Sequence, residues 1–385
     1  MQPPAPEPES ILNLVRRAEE CGAPRDSIDN YEAQHSPRRW DASLYRPVAD
    51  EMLARAFPEW REEIVWPQGK RFAACLSHDV DSVQLDSRYE LARTAMLLSR
   101  NASGIAKKLR PLGGLVGLRR GPQKFDVFTP WVEIEAKYGF RSTFFVFPTR
   151  VRQRHIIDNV YRWDDRTTYR GETASVREIV RDLHQRGWEI GLHGSYLSPL
   201  DYDLLAEQKA DVEQALGAPV VSSRQHNLHF DVMKTPAILE RAGLRVDSTL
   251  GSNRDIGFRT GTSYPSRMWD WQAQRWLGLV EIPLGIHDGA LLRPDNLDLD
   301  AESAFRICKQ LIDRVAETRG VITLLWHPDK AALPVWWELY ARLLEYLHQQ
   351  NAWGTSAGQI HDWWQSSGLG VKHQVMMEKL AGGGS

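Results

Sequence analysis

The chain has 385 residues, of which 42% are hydrophobic and 25% charged, and its formal net charge is −2 at neutral pH. These values are ordinary for a globular protein and exclude collagen-like, disordered and disulfide-rich classes. No apolar run approaches the roughly 20 residues that a membrane-spanning helix needs, and the first residues lack the features of a secretory signal. The cysteines Cys21, Cys75 and Cys308 are odd in number and far apart. We therefore expect a reducing, cytoplasmic environment.

The apolar pattern divides the chain into three parts. Residues 1–66 are predicted to form a helical N-terminal extension anchored by Trp40, Trp60 and Trp66, with disorder expected in the Pro- and Glu-rich residues 1–10. Residues 67–365 are predicted to form the main domain and 366–385 a C-terminal tail. The last four residues, Gly382-Gly383-Gly384-Ser385, resemble an artificial linker.

From Arg71 onward, short apolar runs alternate with amphipathic stretches. The runs predict buried strands at 72–76, 142–146, 189–192, 220–223 and 321–325. The amphipathic stretches predict helices at 129–139, 174–187, 201–216, 234–243 and 301–318. Alternating strands and helices with continuously apolar strands indicate an α/β fold with a parallel sheet, either curled or doubly wound.

Most of the informative polar residues follow directly on these strands, so they should meet at the carboxyl edge of the sheet. The first group is Ser77-His78-Asp79-Val80-Asp81-Ser82. In extended chain Asp79 and Asp81 point to the same side, and two carboxylates so close favour a cation or an arginine between them. The alternative is that one of them caps the next helix.

Two further groups supply imidazoles and a guanidinium. His193 follows an apolar strand and precedes Gly194, which leaves room for a ligand; beside two carboxylates it suits zinc or a similar divalent ion. Arg224 and His226 share a face if their strand continues, so Arg224 could pair with an aspartate and His226 could be a further metal ligand. The alternatives are a hydrogen-bonded structural histidine and a surface loop.

The last strand ends in Trp326-His327. An imidazole at the rim suits a general acid if a carboxylate such as Asp247 raises its pKa. The alternative is that Trp326 and His327 only close the end of the strand.

The order of these motifs resembles the NodB-homology polysaccharide deacetylases (carbohydrate esterase family four), and above all their Asp-x-Asp subset. The resemblance runs from about Arg71 to about Trp364. It is carried by residues 139–145, 187–196, 224–226, 247–251 with 257–259, and 325–327.

This resemblance implies a distorted (β/α) barrel of the polysaccharide deacetylase type, with a divalent metal, usually zinc, at the carboxyl ends of the strands. It implies that Asp79 is the general base, that Asp81 and His193 are metal ligands, and that Arg224 orients Asp79. The backbone N–H near Asn227 would help to hold the oxyanion, and His327, tuned by Asp247, would protonate the leaving amine. The implied activity is removal of an N-acyl group, above all N-acetyl, from an amino sugar in glycan biosynthesis.

The chain departs from the family pattern at the metal. Where the family has a second histidine four residues after the first, this chain has Leu197, which cannot bind a metal, and Ser198 is one residue too far. His226, which occupies the position of an expected proline, is the predicted substitute as third ligand; a water is the alternative. Two rival hypotheses stay open, a hydrolase of the same fold for formyl or non-sugar amides and a non-catalytic carbohydrate-binding barrel.

Several residues are candidates for binding substrate. Trp326 and Leu324 at the end of the last strand, and His287 with Asp288, are predicted to contact it, together with Asn227. Trp269, Trp271 and Trp276 could stack on sugar faces, although filling a core is the more common role of such residues.

A basic segment stands out in a chain that is otherwise acidic. Residues 91–125 hold eight basic residues and no acidic one, whereas the rest of the chain holds 40 basic and 50 acidic residues. This segment suggests an anionic partner, such as a nucleotide-linked or lipid-phosphate-linked sugar, or peripheral contact with a membrane. A solvated loop is the alternative, and nucleic acid is disfavoured because the remainder of the chain is acidic.

Overall fold

The computed structural model of the protein describes residues 8–20, 46–83, 126–155, 157–159, 161–330 and 333–382. Within these residues the main sheet has ten strands. All of its strand pairs are parallel except that of Ser266–Asp270 with Arg275–Glu281. The sheet curls into an open barrel with helices outside it, which confirms the predicted α/β barrel.

The strands of the main sheet are β1 (Phe72–Val80), β2 (Thr143–Val146), β5 (Glu189–Gly194), β6 (Ser222–Gln225), β7 (Val246–Asp247), β8 (Ser266–Asp270), β9 (Arg275–Glu281), β10 (Ile286–His287), β11 (Val321–Trp326) and β12 (Ala352–Thr355). These strands lie in the order β10-β11-β1-β2-β5-β6-β7-β9-β8, and β12 also pairs with β1. A separate hairpin consists of β3 (Arg166–Tyr169) and β4 (Glu172–Ser175).

The helices described are α1 (Pro8–Val15), α2 (Val48–Ala56), α3 (Trp60–Glu63), α4 (Thr129–Lys137), α5 (Val176–Gln185), α6 (Tyr202–Leu216), α7 (Thr235–Arg241), α8 (Asp288–Leu292), α9 (Ala301–Thr318), α10 (Pro334–Gln349), α11 (Ala357–Ser366) and α12 (Leu369–Gly382). None of them is long and apolar enough to cross a membrane.

Each strand and helix predicted from Arg71 onward is present, with shifted ends. The largest extension is in β1, which continues to Val80 and so carries Asp79 within the strand. Several of these helices begin where a side chain satisfies the first free backbone N–H groups. Ser175 and Glu178 form a capping box at α5, and the Asp300 carboxylate caps α9.

The two faces of β1 show how the sheet divides its residues. Phe72, Ala74 and Leu76 face the helices and belong to the main hydrophobic cluster. Ala73 and Cys75 face the interior of the barrel and belong to a second cluster. The interior is therefore apolar near the amino ends of the strands and becomes polar toward their carboxyl ends, where Ser77 and Asp79 follow.

The apolar end of the interior is covered by both ends of the described chain. Leu12 and Trp60 from the N-terminal helices share the second cluster with Trp364, Met376 and Met377 from α11 and α12. Residues 369–382, predicted as part of a tail, are thus a packed helix. Helix α1 begins at Pro8, so disorder does not extend over residues 8–10. Trp60 and Trp66 are buried here as predicted, whereas Trp40 and Cys21 lie outside the described residues.

Helix α12 contains a buried histidine, His373, that should make the stability of the protein sensitive to acid. His373 lies against Trp60 and Tyr264, with ring centroids 6.1 and 5.3 Å away, and burial lowers the pKa of His373 to about 3. Below the ordinary pKa of about 6.5 the unfolded chain takes up a proton that the folded chain excludes, so stability falls as the pH falls from that value toward 3.

Through His373, the free energy of unfolding of wild type should fall by roughly 3 kcal/mol between pH 7 and pH 4. We expect this fall to be absent in His373→Phe. Denaturant unfolding of both proteins across this range measures the difference. The matched control is His184→Phe, at an exposed histidine near the end of α5, which should leave the pH dependence unchanged. An equal acid sensitivity of wild type and His373→Phe would contradict the prediction.

The tryptophans predicted to stack on sugars or fill a core take a packing role. The guanidinium of Arg16 lies 3.9 Å from the ring centroid of Trp269 and 4.8 Å from that of Trp276. The Trp271 indole N–H donates to the Arg16 carbonyl at 3.1 Å. Because β9 is parallel to β7, these residues lie at the edge of the sheet opposite its carboxyl ends.

Candidate active site

The site begins with a buried ion pair at the carboxyl end of β1. An Asp79 oxygen, Oδ1, lies 3.1 Å from Nη1 of Arg224, and Asp79 is 3% exposed. Arg224 also donates to Ser77 Oγ at 2.8 Å and to the Ser248 carbonyl at 2.7 Å. Its guanidinium is fixed from three sides, so it places a rigid cation beside Asp79.

Asp81, His193 and His226 come together next to this pair. Their ligand atoms lie within 4.8 Å of one another; Oδ1 of Asp81 is 3.4 Å from His193 Nε2 and 3.8 Å from His226 Nε2. Burial opposes the charged form of Asp81, but the neighbouring His193, His226 and His327 hold the pKa of its carboxyl well below the usual value.

These three residues fit a divalent metal ion. His193 Nδ1 contacts the Arg224 carbonyl at 3.0 Å and His226 Nδ1 contacts Asp158 Oδ1 at 3.4 Å. Both Nε2 atoms are therefore directed toward Asp81. Two imidazole nitrogens and one carboxylate oxygen are a donor set typical of zinc sites, and an acceptor on the other ring nitrogen is the usual outer partner.

The space beside Gly194 is taken by protein. A Cβ at this position would lie 2.2 Å from Gln225 Oε1 and 2.8 Å from Ser198 Oγ. The glycine therefore allows close packing between neighbouring chain segments, which corrects the expectation that it leaves room for a ligand.

On the other side of Asp81, the imidazole of His327 forms a pair with the carboxylate of Asp288. His327 Nε2 lies 3.6 Å from Asp81 Oδ2, while its Nδ1 lies 2.7 Å from Asp288 Oδ1. The His327 backbone N–H donates to Asp288 Oδ2 at 2.9 Å. Burial disfavours the charged imidazole, but Asp288 and Asp81 raise the pKa of His327 to about 9. This arrangement suits a general acid.

The partner of His327 is thus Asp288, whereas the sequence predicts Asp247. Asp247 instead accepts from Ser223 Oγ at 2.6 Å and from the Thr249 backbone N–H at 3.0 Å. Burial raises the pKa of its carboxyl. The reason is position: Asp247 belongs to β7, whereas β10 is the strand beside β11 and its last residue precedes Asp288.

The ligand atoms of a second group, His287, Asp288 and His327, also lie within 4.8 Å of one another. However, Asp288 already accepts from the backbone N–H of Gly289 and His327 and contacts His327 Nδ1. The group is therefore better explained as an oriented acid than as a second metal site.

The predicted substrate contacts need a correction at the end of β11. Leu324 and Trp326 face the helix layer, in the main hydrophobic cluster, because side chains alternate along a strand. Leu325 faces the interior and packs with Leu228 and Leu284. The predicted substrate contacts omit Leu325, although the alternation of side chains along the strand indicates that it faces the interior.

The remaining substrate candidates differ in their exposure. Asp288 is fully buried and holds His327, while His287 is 4% exposed and stands beside the His327 ring at 5.6 Å between centroids. Asn227 is exposed, has a φ of 57°, and its carbonyl accepts from Asn253 Nδ2 at 2.8 Å. The basic segment 91–125 lies outside the described residues.

Two residues of the site had no signal in the sequence. Asp158 contacts His226, and Asn159 Nδ2 donates to Asp81 Oδ1 at 2.9 Å. Both belong to the connection between β2 and β3, which has neither an apolar run nor a strand end to mark it.

Comparison with known proteins supports the fold. A scan against protein-family models gives no match, and neither does a search of curated proteins. Among solved structures, a protein from Mycobacterium smegmatis assigned as a polysaccharide deacetylase is 20% identical, with 79% of this chain and 93% of that chain covered and a TM-score of 0.50. A protein from Pseudomonas aeruginosa PAO1 with the same assignment is 13% identical, with 78% and 93% covered and a TM-score of 0.50.

The chain therefore has the polysaccharide deacetylase fold. This result confirms, for the fold, the resemblance to the NodB-homology deacetylases that the order of motifs predicts.

Proposed function

We propose that the protein is a metal-dependent hydrolase that removes an N-acyl group, above all N-acetyl, from an amino sugar or sugar conjugate in glycan biosynthesis. The observation that carries this proposal is the arrangement around Asp81. The Asp79–Arg224 pair and the His327–Asp288 pair lie on either side of a carboxylate that two imidazoles also approach. Amide hydrolysis needs a base and an acid as separate groups, and this edge of the barrel holds both.

Asp81, His193 and His226 would hold the ion. Zinc or a similar divalent ion bound there supplies a Lewis acid that polarises the acyl carbonyl and makes water more acidic. Asp79 accepts a proton from the attacking water, with its carboxylate fixed by Arg224. As the C–N bond breaks, His327 donates its Nε2 proton to the departing nitrogen, and Asp288 stabilises the imidazolium until that step.

The apolar residues near the site favour a short acyl group. Leu228, Leu284 and Leu325 form a small buried cluster, and Leu325 lies beside Ser77 in the register of β1 with β11. Leucine side chains beside the acyl group would pack against a methyl group and would offer no charge or hydrogen bond to a polar acyl chain. The proposal also includes a phosphate-linked substrate or membrane contact through residues 91–125. The positive charge of that segment is what supports this part.

Metal content tests the proposal most directly. We expect one divalent ion per chain in wild type and none in Asp81→Ala, because the variant loses the ligand shared by both histidines. Elemental mass spectrometry on proteins purified identically measures this, with Asp164→Ala, at an exposed surface aspartate, as the control. Wild type without metal after incubation with zinc would contradict the proposal and favour a non-catalytic carbohydrate-binding barrel.

Substrate class is tested next with the metal-loaded protein. N-acetyl amino sugars, N-formyl amino sugars and non-sugar amides are offered in parallel, and release of the free amine is measured. Turnover confined to non-sugar amides would contradict the sugar part of the proposal while leaving the hydrolase intact.

A further inference from the structure

The two histidines directed at Asp81 are held in different ways. His193 lies on β5, and its Nδ1 contacts a backbone carbonyl, that of Arg224. His226 lies beyond the end of β6, at the first residue of a short 3₁₀ turn. The next two residues, Asn227 and Leu228, have φ values of 57° and 51°. Its orientation therefore depends on whatever contacts its ring.

The polar contact of Nδ1 is with the carboxylate of Asp158, while the rings of Phe147 and His193 pack beside the His226 ring with centroids 6.0 and 5.2 Å away. The Asp158 side chain is fully buried, and its Oδ1 lies 3.4 Å from His226 Nδ1. Oδ1 also accepts from the Tyr196 backbone N–H at 2.8 Å, and Oδ2 accepts from the His155 backbone N–H at 2.7 Å. Two backbone N–H groups thus hold the Asp158 carboxylate in place independently of its contact with the His226 imidazole.

Asp158 is the nearer of the two carboxylates beside the ring: its Oδ1 lies 3.4 Å from Nδ1, whereas Asp81 Oδ1 lies 3.8 Å from Nε2 and already accepts from Asn159. An acceptor beside Nδ1 favours the tautomer with hydrogen on Nδ1 and leaves the lone pair on Nε2, the atom that faces Asp81. Asn159, the next residue, donates to Asp81 Oδ1. The connection between β2 and β3 therefore contacts two of the three candidate ligands.

We infer that Asp158 is a positioning residue for the metal, which orients His226 and thereby makes it the third ligand in a chain that has Leu197 at the usual position. The inference rests on the proposed metal site. Loss of such an outer partner weakens metal binding by about 10–100-fold, and we expect Asp158→Asn to weaken zinc binding by this factor.

The experiment is a zinc titration of the full chain in competition with a chromophoric chelator. It compares wild type, Asp158→Asn, His226→Ala and the double variant, with Asp164→Asn as the control at an exposed aspartate. If Asp158 acts through His226, Asp158→Asn costs nothing further in the His226→Ala background. A residue that only supports the loop would weaken binding in both backgrounds, and that result would overturn the inference.

A second measurement does not depend on the folding of the Asp158 variant. Histidine labelled with ¹⁵N in the metal-free wild type reports the tautomer of each ring, and His226→Ala identifies the signal of His226. We expect hydrogen on Nδ1; hydrogen on Nε2 would overturn the inference. If wild type and Asp158→Asn bind zinc equally tightly, this inference alone is refuted. If wild type binds no zinc, the proposed metal site is refuted as well.

Discussion

Asp79→Asn is expected to reduce turnover by about 10²–10⁴-fold, the range that general bases contribute, while substrate and metal are still bound. The amide of asparagine cannot accept the proton of the attacking water, but it has nearly the same shape as the carboxylate. Initial rates with the metal-loaded protein measure the loss, and equilibrium binding of the same substrate measures what is kept.

The same substitution should lower stability, because Arg224 is fully buried and loses the charge of its partner. Breaking a buried ion pair on one side typically costs about 3–5 kcal/mol. Turnover must therefore be compared at a temperature where both proteins are folded. Asp164→Asn serves again as the control, and an Asp79→Asn variant that turns over at the wild-type rate would exclude Asp79 as the base.

Asp288→Asn is expected to reduce turnover by a comparable factor, since the amide would hold His327 in the wrong tautomer. It should also change the pH profile. Asp288 raises the pKa of His327, so the imidazolium persists in wild type at neutral and mildly alkaline pH. In Asp288→Asn, His327 should lose its proton at lower pH because the Asp288 carboxylate is missing. The alkaline limb of kcat should therefore move to lower pH.

The informative control is Asp247→Asn, because the sequence suggested Asp247 as the partner of His327 and the structure places it beside Ser223 and Thr249. Measured over the same pH range, Asp247→Asn should leave the alkaline limb where it is in wild type. A shift caused by Asp247→Asn and absent in Asp288→Asn would reverse the assignment.

The sequence predicts the parts of the site that strand geometry determines. Asp79, Asp81, His193 and Arg224 follow apolar runs, and parallel strands bring their carboxyl ends to one edge of the sheet. The order of motifs then identifies the fold, which the structural matches bear out. These predictions succeed because they depend on local pattern and on a general property of α/β sheets.

What the sequence could not predict depends on contacts between distant segments. Asp288 is next to His327 only because β10 pairs with β11, and the two-residue β10 has no recognisable pattern. Asp158 lies in an irregular connection, and its carboxylate contacts Tyr196 and His226, which are distant in the sequence. The sequence predicts Leu324 and not Leu325 as a substrate contact because an all-apolar run does not show which residues face the interior.

The position of β1 in the sheet has a consequence for how the chain folds. This strand, which carries Asp79, lies between β2, its nearest successor, and β11, and it also pairs with β12. During synthesis one edge of β1 has no partner until nearly the whole chain has been made. Such long-range pairing slows folding, and an unpaired apolar strand edge is prone to aggregation. A chain that ends before β11 would therefore present this edge to other molecules, and we expect it to aggregate.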